Sequence, residues 1–315
     1  MPNVFRWDIA RREQLGRLVT GEPVEGLASL LEEVRRCSAR VIAMSGDSRL
    51  VFVGRSPETL FDYLTGAFEG TSWSDRLTLL PLSLKSSSER WTEMSAAMRS
   101  ALRQQFSALC LDPAGIAAAV RPIALVDVIC DGDTFANLTE LLFEWAADER
   151  IGAHALRRRL RIVGIVTRGN RSYTTVGWRR HAWACRYRGS ALKGVSVPES
   201  FWEFLGNSDA KVSRSNPPWK WCDPDMARPP RGPRHTEALE LALALHEAGQ
   251  SRSERDALAA AIAGQPAMRH VWCRAVTSEL RAASRPKRVE RLFSSKQRVR
   301  SWRRHVRGGA RFSSR

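Results

Sequence analysis

The chain has 315 residues, 43% of them hydrophobic, enough to bury a sizeable core and too many for a disordered polymer. Its formal net charge is +17, and residues 285–315 hold twelve Lys/Arg against the single acid Glu290, a net +11 that leaves +6 for the first 284 residues. No apolar run approaches the roughly 18 residues of a membrane span. The N-terminus is charged too early for a secretory leader. The six cysteines (37, 110, 130, 185, 222 and 273) show no C-x-x-C or Cys/His metal spacing. A cytoplasmic protein with free thiols and no membrane partner is expected. The Gly-Lys-Ser/Thr phosphate loop, His-Glu-x-x-His, Gly-x-Ser-x-Gly and Gly-x-Gly-x-x-Gly are all absent, which removes the commonest nucleotide hydrolase, metalloprotease, serine hydrolase and dinucleotide readings.

In chain order, residues 4–19 and 24–37 have amphipathic spacing and are expected as two helices split by TGEP. ARVIAM (39–44) and RLVFVG (49–54) flank the turn signal SGDS and read as short strands. SPETLFDYLTGAF (56–68) reads as a helix, with Ser56 as N-cap and Pro57 at the first helical position. RLTLLPLSL (76–84) reads as a strand. Residues 87–110, with Trp91, Met94, Met98, Leu102 and Phe106 three or four apart, read as a helix. RPIALVDVI (121–129) is a near-continuous apolar strand of the kind buried on both faces of a parallel sheet. Residues 134–149 are expected to be helical and LRIVGIVTR (160–168) to be a strand; RRRLR at 157–161 then forms an exposed helix-to-strand corner.

Strands alternating with helices predict an α/β fold, a doubly wound and mainly parallel sheet with right-handed crossovers and ligand sites at the carboxyl ends of its strands. The character changes after residue 206. Residues 214–233 hold six of the fifteen prolines. They read as a linker or an irregular strap within 207–233. Helices are expected at 235–248, at 252–263 with a capping box from Ser251 to Glu254, and at 266–283. The predicted organisation is an α/β domain over 1–206, the strap, a helical segment over 234–283 and a basic tail over 284–315.

Two loops fall at strand carboxyl ends. One is Gly54-Arg55-Ser56. The other closes Ile123–Thr134, IALVDVICDGDT, where a buried strand runs through a small acidic loop into a helix. A loop of this kind converges backbone N–H groups on the positive end of a helix dipole and suits an anion. The alternative at this point is an ordinary turn in which Asp133 or Thr134 caps the helix.

IALVDVICDGDT resembles the phosphoribosyl-diphosphate signature of the type I phosphoribosyltransferases, in which a buried strand ends in two adjacent acids, two apolar residues and a small loop closing Gly-x-Thr. RLVFVGRSPE is similar to that family's diphosphate loop, RLTLLPLSLKSSS to the strand before its mobile loop, RLRIVGIVTR to the following strand, and KGVSVPESFWEFLGN weakly to its base-covering hood. The likeness covers about residues 38–206. It implies a nucleotide-like substrate, with Asp127 on the ribose hydroxyls, Gly132 and Thr134 on a 5′-phosphate, and Gly54, Arg55 and Ser56 on diphosphate. It further implies Mg²⁺ as a candidate cofactor, with Asp127 a candidate contact; beside it, from the residues themselves, Asp131 is a second catalytic candidate and Asp133 a phosphate-loop candidate, and either could bind Mg²⁺ or a hydroxyl. Val126 departs from the pattern at the first acid, Cys130 stands where purine enzymes often carry Asp, and Asp131 replaces a small threonine. Carboxylates beside a phosphate each cost on the order of 1 kcal/mol at about 4 Å in water, and more when buried. Either a cation neutralises them or the ligand carries no phosphate there.

The tail interleaves Arg298, Arg300, Arg303, Arg304 and Arg307 with Phe293, Trp302 and Phe312. Such a composition suits RNA or DNA, through phosphate neutralisation and stacking, or a solvated basic end with loose affinity for any polyanion. Trp178, Trp183, Trp202, Trp219 and Trp221 follow the core strands and are read first as packing and second as cover for a bound base. The function expected is binding or transfer of a ribosyl or phosphoribosyl group. The alternative is a non-catalytic nucleotide sensor or effector docked to nucleic acid by its tail.

Overall fold

The computed structural model describes residues 6–21, 23–84, 95–169, 177–187, 189–207, 211–214 and 232–283. Its elements in order are α1 (Arg12–Leu15), α2 (Leu27–Ser45), β1 (Arg49–Val53), α3 (Glu58–Ala67), β2 (Leu77–Leu80), α4 (Ala96–Ala108), α5 (Pro113–Ala118), β3 (Ile123–Val128), α6 (Asp133–Asp148), α7 (Ala153–Arg159), β4 (Leu160–Thr167), β5 (Leu192–Val197), α8 (Glu199–Gly206), α9 (Pro233–Gln250), α10 (Arg252–Ala263) and α11 (Val271–Ala283).

The five strands form one parallel sheet in the order β2-β1-β3-β4-β5. Parallel neighbours require crossovers, and here the helices cover both faces. Alternate strand residues separate the two cores. Leu50, Phe52, Ala124, Val126, Val163 and Ile165 pack toward α2, α3, α8, α10 and α11. Val51, Val53, Ile123, Leu125, Ile162 and Val166 pack toward α4, α5, α6 and α7. The C-terminal helices are therefore continuous with the first core, through Leu245, Leu258, Ile262, Val276 and Leu280. Helix α9 approaches α3 so closely that a Cβ on Gly66 would fall 1.9 Å from the His246 carbonyl oxygen.

Several expectations are corrected. ARVIAM is not a strand: residues 39–44 continue α2, whose buried positions Val34, Cys37, Ser38, Val41, Ile42 and Ser45 keep helical spacing until Gly46 ends it at φ 70°. A short β-branched run carries too little periodicity to separate the two states. The N-terminal helix is only Arg12–Leu15 followed by a 3-10 turn. Ser56 is not the cap of α3. Pro57 takes that position, and the Pro57 carbonyl accepts from the Leu60 and Phe61 N–H groups. The helix expected over 87–110 is described from Ala96, capped by Ser95 accepting from the Met98 N–H; its earlier residues lie outside the described ones.

The Ser251 cap of α10 is present, at 3.2 Å from the Glu254 N–H. The Glu254 carboxylate, however, faces Arg35 and Tyr63 instead of closing a capping box. β5 and the short helices α5 and α8 lie outside the expected elements. β5 is an edge strand with only three of its six residues buried, so its pattern is faint. RRRLR is the α7-to-β4 corner, as expected. The basic tail, Trp219, Trp221, Cys222 and most of the Pro-rich stretch lie outside the described residues.

Candidate functional site

The chain leaves β1 toward β2 on one side and enters β3 on the other, so the carboxyl ends of β1 and β3 diverge at a topological switch point. Crevices of doubly wound sheets open there. A cavity of about 610 Å³ occupies this position, walled by Gly54–Ser56, by Leu82–Leu84, by Asp127–Gly132 with Thr134, and by Trp202, Asn207 and Lys211. The tertiary structure thus brings both candidate loops to one cleft. Asp133, just inside α6, is half-buried and does not line it. A larger groove of about 960 Å³ runs between α4 and α6, but Arg103 there is already paired with Asp148 and lies over the Trp145 ring.

The first loop turns at Gly54, whose φ of 74° is open to glycine and whose Cβ, if present, would lie 3.1 Å from the Leu82 carbonyl oxygen. The Gly54 N–H is spent on the Leu80 carbonyl at 2.8 Å. Arg55 lines the cleft half-buried, with burial lowering its pKa and Glu58 opposing that shift.

Behind this loop lies Lys211, within the segment expected as a linker or strap. It is 2% exposed, and its ammonium donates to the Ser56 carbonyl at 3.3 Å and the Thr59 hydroxyl at 3.2 Å. The Val212 and Ser213 N–H groups donate to the Glu58 carboxylate, at 2.5 and 3.2 Å. The strap 211–214 is thereby pinned across the N-terminus of α3. Burial pulls the Lys211 pKa down to about 8, with Glu58 and then Asp62 opposing the fall. A buried cation is expensive unless paired, and nothing in the local sequence AKVSR marked this one.

The second loop is acidic. Asp127, the fifth residue of β3, pairs in register with Gly164 and is 5% exposed. Its Oδ1 accepts from its neighbour's N–H, that of Val128, at 2.7 Å. Burial pushes the Asp127 carboxyl up to about 8, against the Val128 N–H and the Thr134 hydroxyl, which both favour the charged form. Asp131 is exposed at the rim, and its Oδ1 accepts from the Asp133 N–H at 3.3 Å. Gly132, at φ 93°, caps α6 with its backbone, and a Cβ there would meet Trp183 Nε1 at 3.2 Å. Cys130 is half-buried beside these acids and carries a free thiol. Among the described residues no ion pair reaches Asp127 or Asp131. Among the described residues no group of three or more His, Cys, Asp or Glu side chains gathers there that would hold a metal ion unaided.

The tryptophans divide between the two expected roles. Trp178 and Trp183 stack on each other, with ring centroids 5.8 Å apart, inside the second core. Trp202, on α8, instead forms a wall of the cleft, its Nε1 donating to the Ile129 carbonyl at 3.1 Å. Asn137 on α6 donates to the Leu84 carbonyl at 2.8 Å and ties the chain after β2 to the acidic loop's helix.

In comparisons with known proteins, no family model, no curated protein and no solved structure matches this chain. Fold and site together define an α/β protein with a five-stranded parallel sheet and, at its switch point, a cleft bearing Arg55, Lys211, Asp127 and Asp131 among apolar walls. Among the described residues no helix is long and apolar enough to cross a membrane.

Proposed function

We propose that the switch-point cleft binds a diphosphate-bearing ribosyl compound and serves ribosyl transfer, a phosphoribosyltransferase-like role on a nucleotide-like substrate. The observation that carries this reading is that one cavity joins a cationic loop, with Arg55 in its wall and Lys211 behind it, to a loop bearing Asp127 and Asp131. Diphosphate belongs against Gly54–Ser56. Arg55 offers a bidentate fork to its oxygens and Lys211 adds a fixed charge. As the bond from the anomeric carbon to diphosphate breaks and the bond to the acceptor forms, these cations stabilise the charge developing on the leaving group. Asp127 faces the sugar. With its pKa near 8 it is mostly protonated at neutral pH, so it can donate to a sugar oxygen or exchange a proton with the acceptor. If Mg²⁺ enters with the ligand, carboxylates of the acidic loop would hold it, and its charge would offset that of the leaving diphosphate.

Calorimetry with inorganic diphosphate and Mg²⁺ tests the reading. Micromolar binding is expected, weakened about 10- to 100-fold in Arg55→Ala, the worth of a charge-assisted hydrogen bond. Absence of binding, or indifference to Arg55→Ala, would sink it.

A second reading rests on the net +11 of residues 285–315, which include Arg298, Arg300, Arg303, Arg304 and Arg307 and lie outside the described residues. In it the cleft senses a nucleotide while the tail docks the protein on RNA or DNA. Deleting residues 285–315 should then abolish salt-sensitive nucleic-acid binding and leave the cleft's ligand affinity unchanged.

A further inference from the structure

The two halves of the cleft differ in what their donors are already doing. In the acidic loop, the groups that would cradle a phosphate are committed to the protein's own carboxylates. The Asp133 N–H is turned to Asp131 Oδ1 at 3.3 Å, and the Val128 N–H to Asp127 Oδ1 at 2.7 Å. The Thr134 hydroxyl lies on the Asp127 side of the loop and favours that carboxyl's charged form. An incoming phosphate would displace these bonds and then sit beside the Asp131 carboxylate, which no ion pair among the described residues reaches. Like charges at such range repel, the more so behind low-dielectric walls. A hydroxyl meets no such barrier: it donates to a carboxylate and accepts from a protonated acid. The opposite half has the reverse character. There the Glu58 carboxylate accepts from the Val212 and Ser213 N–H groups, Lys211 is fixed as a positive charge by the Ser56 carbonyl and the Thr59 hydroxyl, and Arg55 lines the cleft.

We infer that the cleft selects ligands that are anionic at one end only: a diphosphate held by Arg55 and Lys211, followed by a sugar whose far end presents hydroxyls to the Asp127–Asp131 loop, with a second phosphate there rejected. This inference rests on the diphosphate reading above and narrows its substrate class from phosphoribosyl to ribosyl compounds unphosphorylated at the distal carbon. Asp131 is the discriminating residue. It is exposed at the rim, so its replacement leaves the fold intact.

The test is calorimetry of the full chain and of Asp131→Asn with two probes, inorganic diphosphate and 5-phosphoribosyl 1-diphosphate, each with Mg²⁺ and again with a chelator. For the native protein, the doubly anionic probe should bind no tighter than diphosphate. In Asp131→Asn, with the chelator present, it should gain about 5-fold or more, the scale of one unit-charge contact near a protein surface, while diphosphate affinity under the same metal-free conditions stays unchanged. If 5-phosphoribosyl 1-diphosphate already binds ten-fold tighter than diphosphate to the native protein, the inference is overturned. It is equally overturned if Asp131→Asn changes nothing, or if that variant loses affinity only with Mg²⁺, which would make Asp131 a recruiter of the phosphate through the metal. Failure of both probes to bind removes the diphosphate reading itself and the inference with it, an outcome distinct from selective rejection of the second phosphate.

Discussion

The β1–α3 and β3–α6 loops are built alike and charged oppositely. Each follows a buried parallel strand, turns at a glycine with positive φ, Gly54 at 74° and Gly132 at 93°, and leads into a helix N-terminus. The first presents Arg55 backed by Lys211; the second presents Asp127 and Asp131. Shared backbone geometry therefore does not make two equal anion sites. Side chains decide, and in the second loop they have taken the backbone donors for themselves.

The largest effect that would break this comparison concerns Asp127. An unfolded Asp titrates near 3.9, whereas the folded group is pushed up to about 8 by burial. Below about pH 4 both states hold the proton and the group contributes no difference. Between about pH 4 and 8 the unfolded chain ionises while the folded one stays protonated, so stability falls with rising pH by at most about 1.4 kcal/mol per unit. Asp127→Asn is free of this penalty and keeps an acceptor for the Val128 N–H. Its stability relative to the native protein should rise by about 2–4 kcal/mol between pH 5 and pH 8, read by urea unfolding. A gap that stays constant across that range would mean Asp127 is solvated and ionised at neutral pH. The same variant should also change ligand binding or turnover; if it alters neither, Asp127 has no part in the site.

A somewhat smaller effect sharpens the likeness of the two backbones. Gly54→Val and Gly132→Val should each cost about 2–3 kcal/mol, combining a left-handed conformation that a β-branched residue resists with close contacts to the Leu82 carbonyl and to Trp183. Their functional consequences should differ. Gly54→Val should impair diphosphate binding, while Gly132→Val, at matched loss of stability, should leave inorganic diphosphate affinity within about 3-fold, well under 1 kcal/mol. Equal losses of binding would erase the functional contrast between the loops.

Much of this frame is legible along the chain. The run IALVDV reads as a buried strand and forms one, and the acidic loop before a helical pattern marks a strand-loop-helix junction. Ser251 before RSERDALAAAIA marked the start of α10. Other features were hidden for physical reasons. ARVIAM has the β-branched content of a strand, but nothing breaks the helix before Gly46. Lys211 sits in a segment with no periodicity, and its burial depends on Glu58 and Thr59, more than 150 positions away in sequence. The resemblance to phosphoribosyltransferases rests on the loop residues themselves, and the parallel sheet is compatible with it without adding to it.

The sequence by itself determined the α/β alternation, the two strand-end loops and the sign of charge on each, because hydrophobic period, turn glycines and titratable residues are local properties. Only the tertiary structure decided that the two loops share one cleft, since that follows from the strand order β2-β1-β3-β4-β5. Two further outcomes also depended on it. The strap delivers a buried lysine behind the cationic loop, and the acidic loop satisfies its own backbone donors. Each depends on contacts between groups brought together by folding, and no spacing along the chain encodes it.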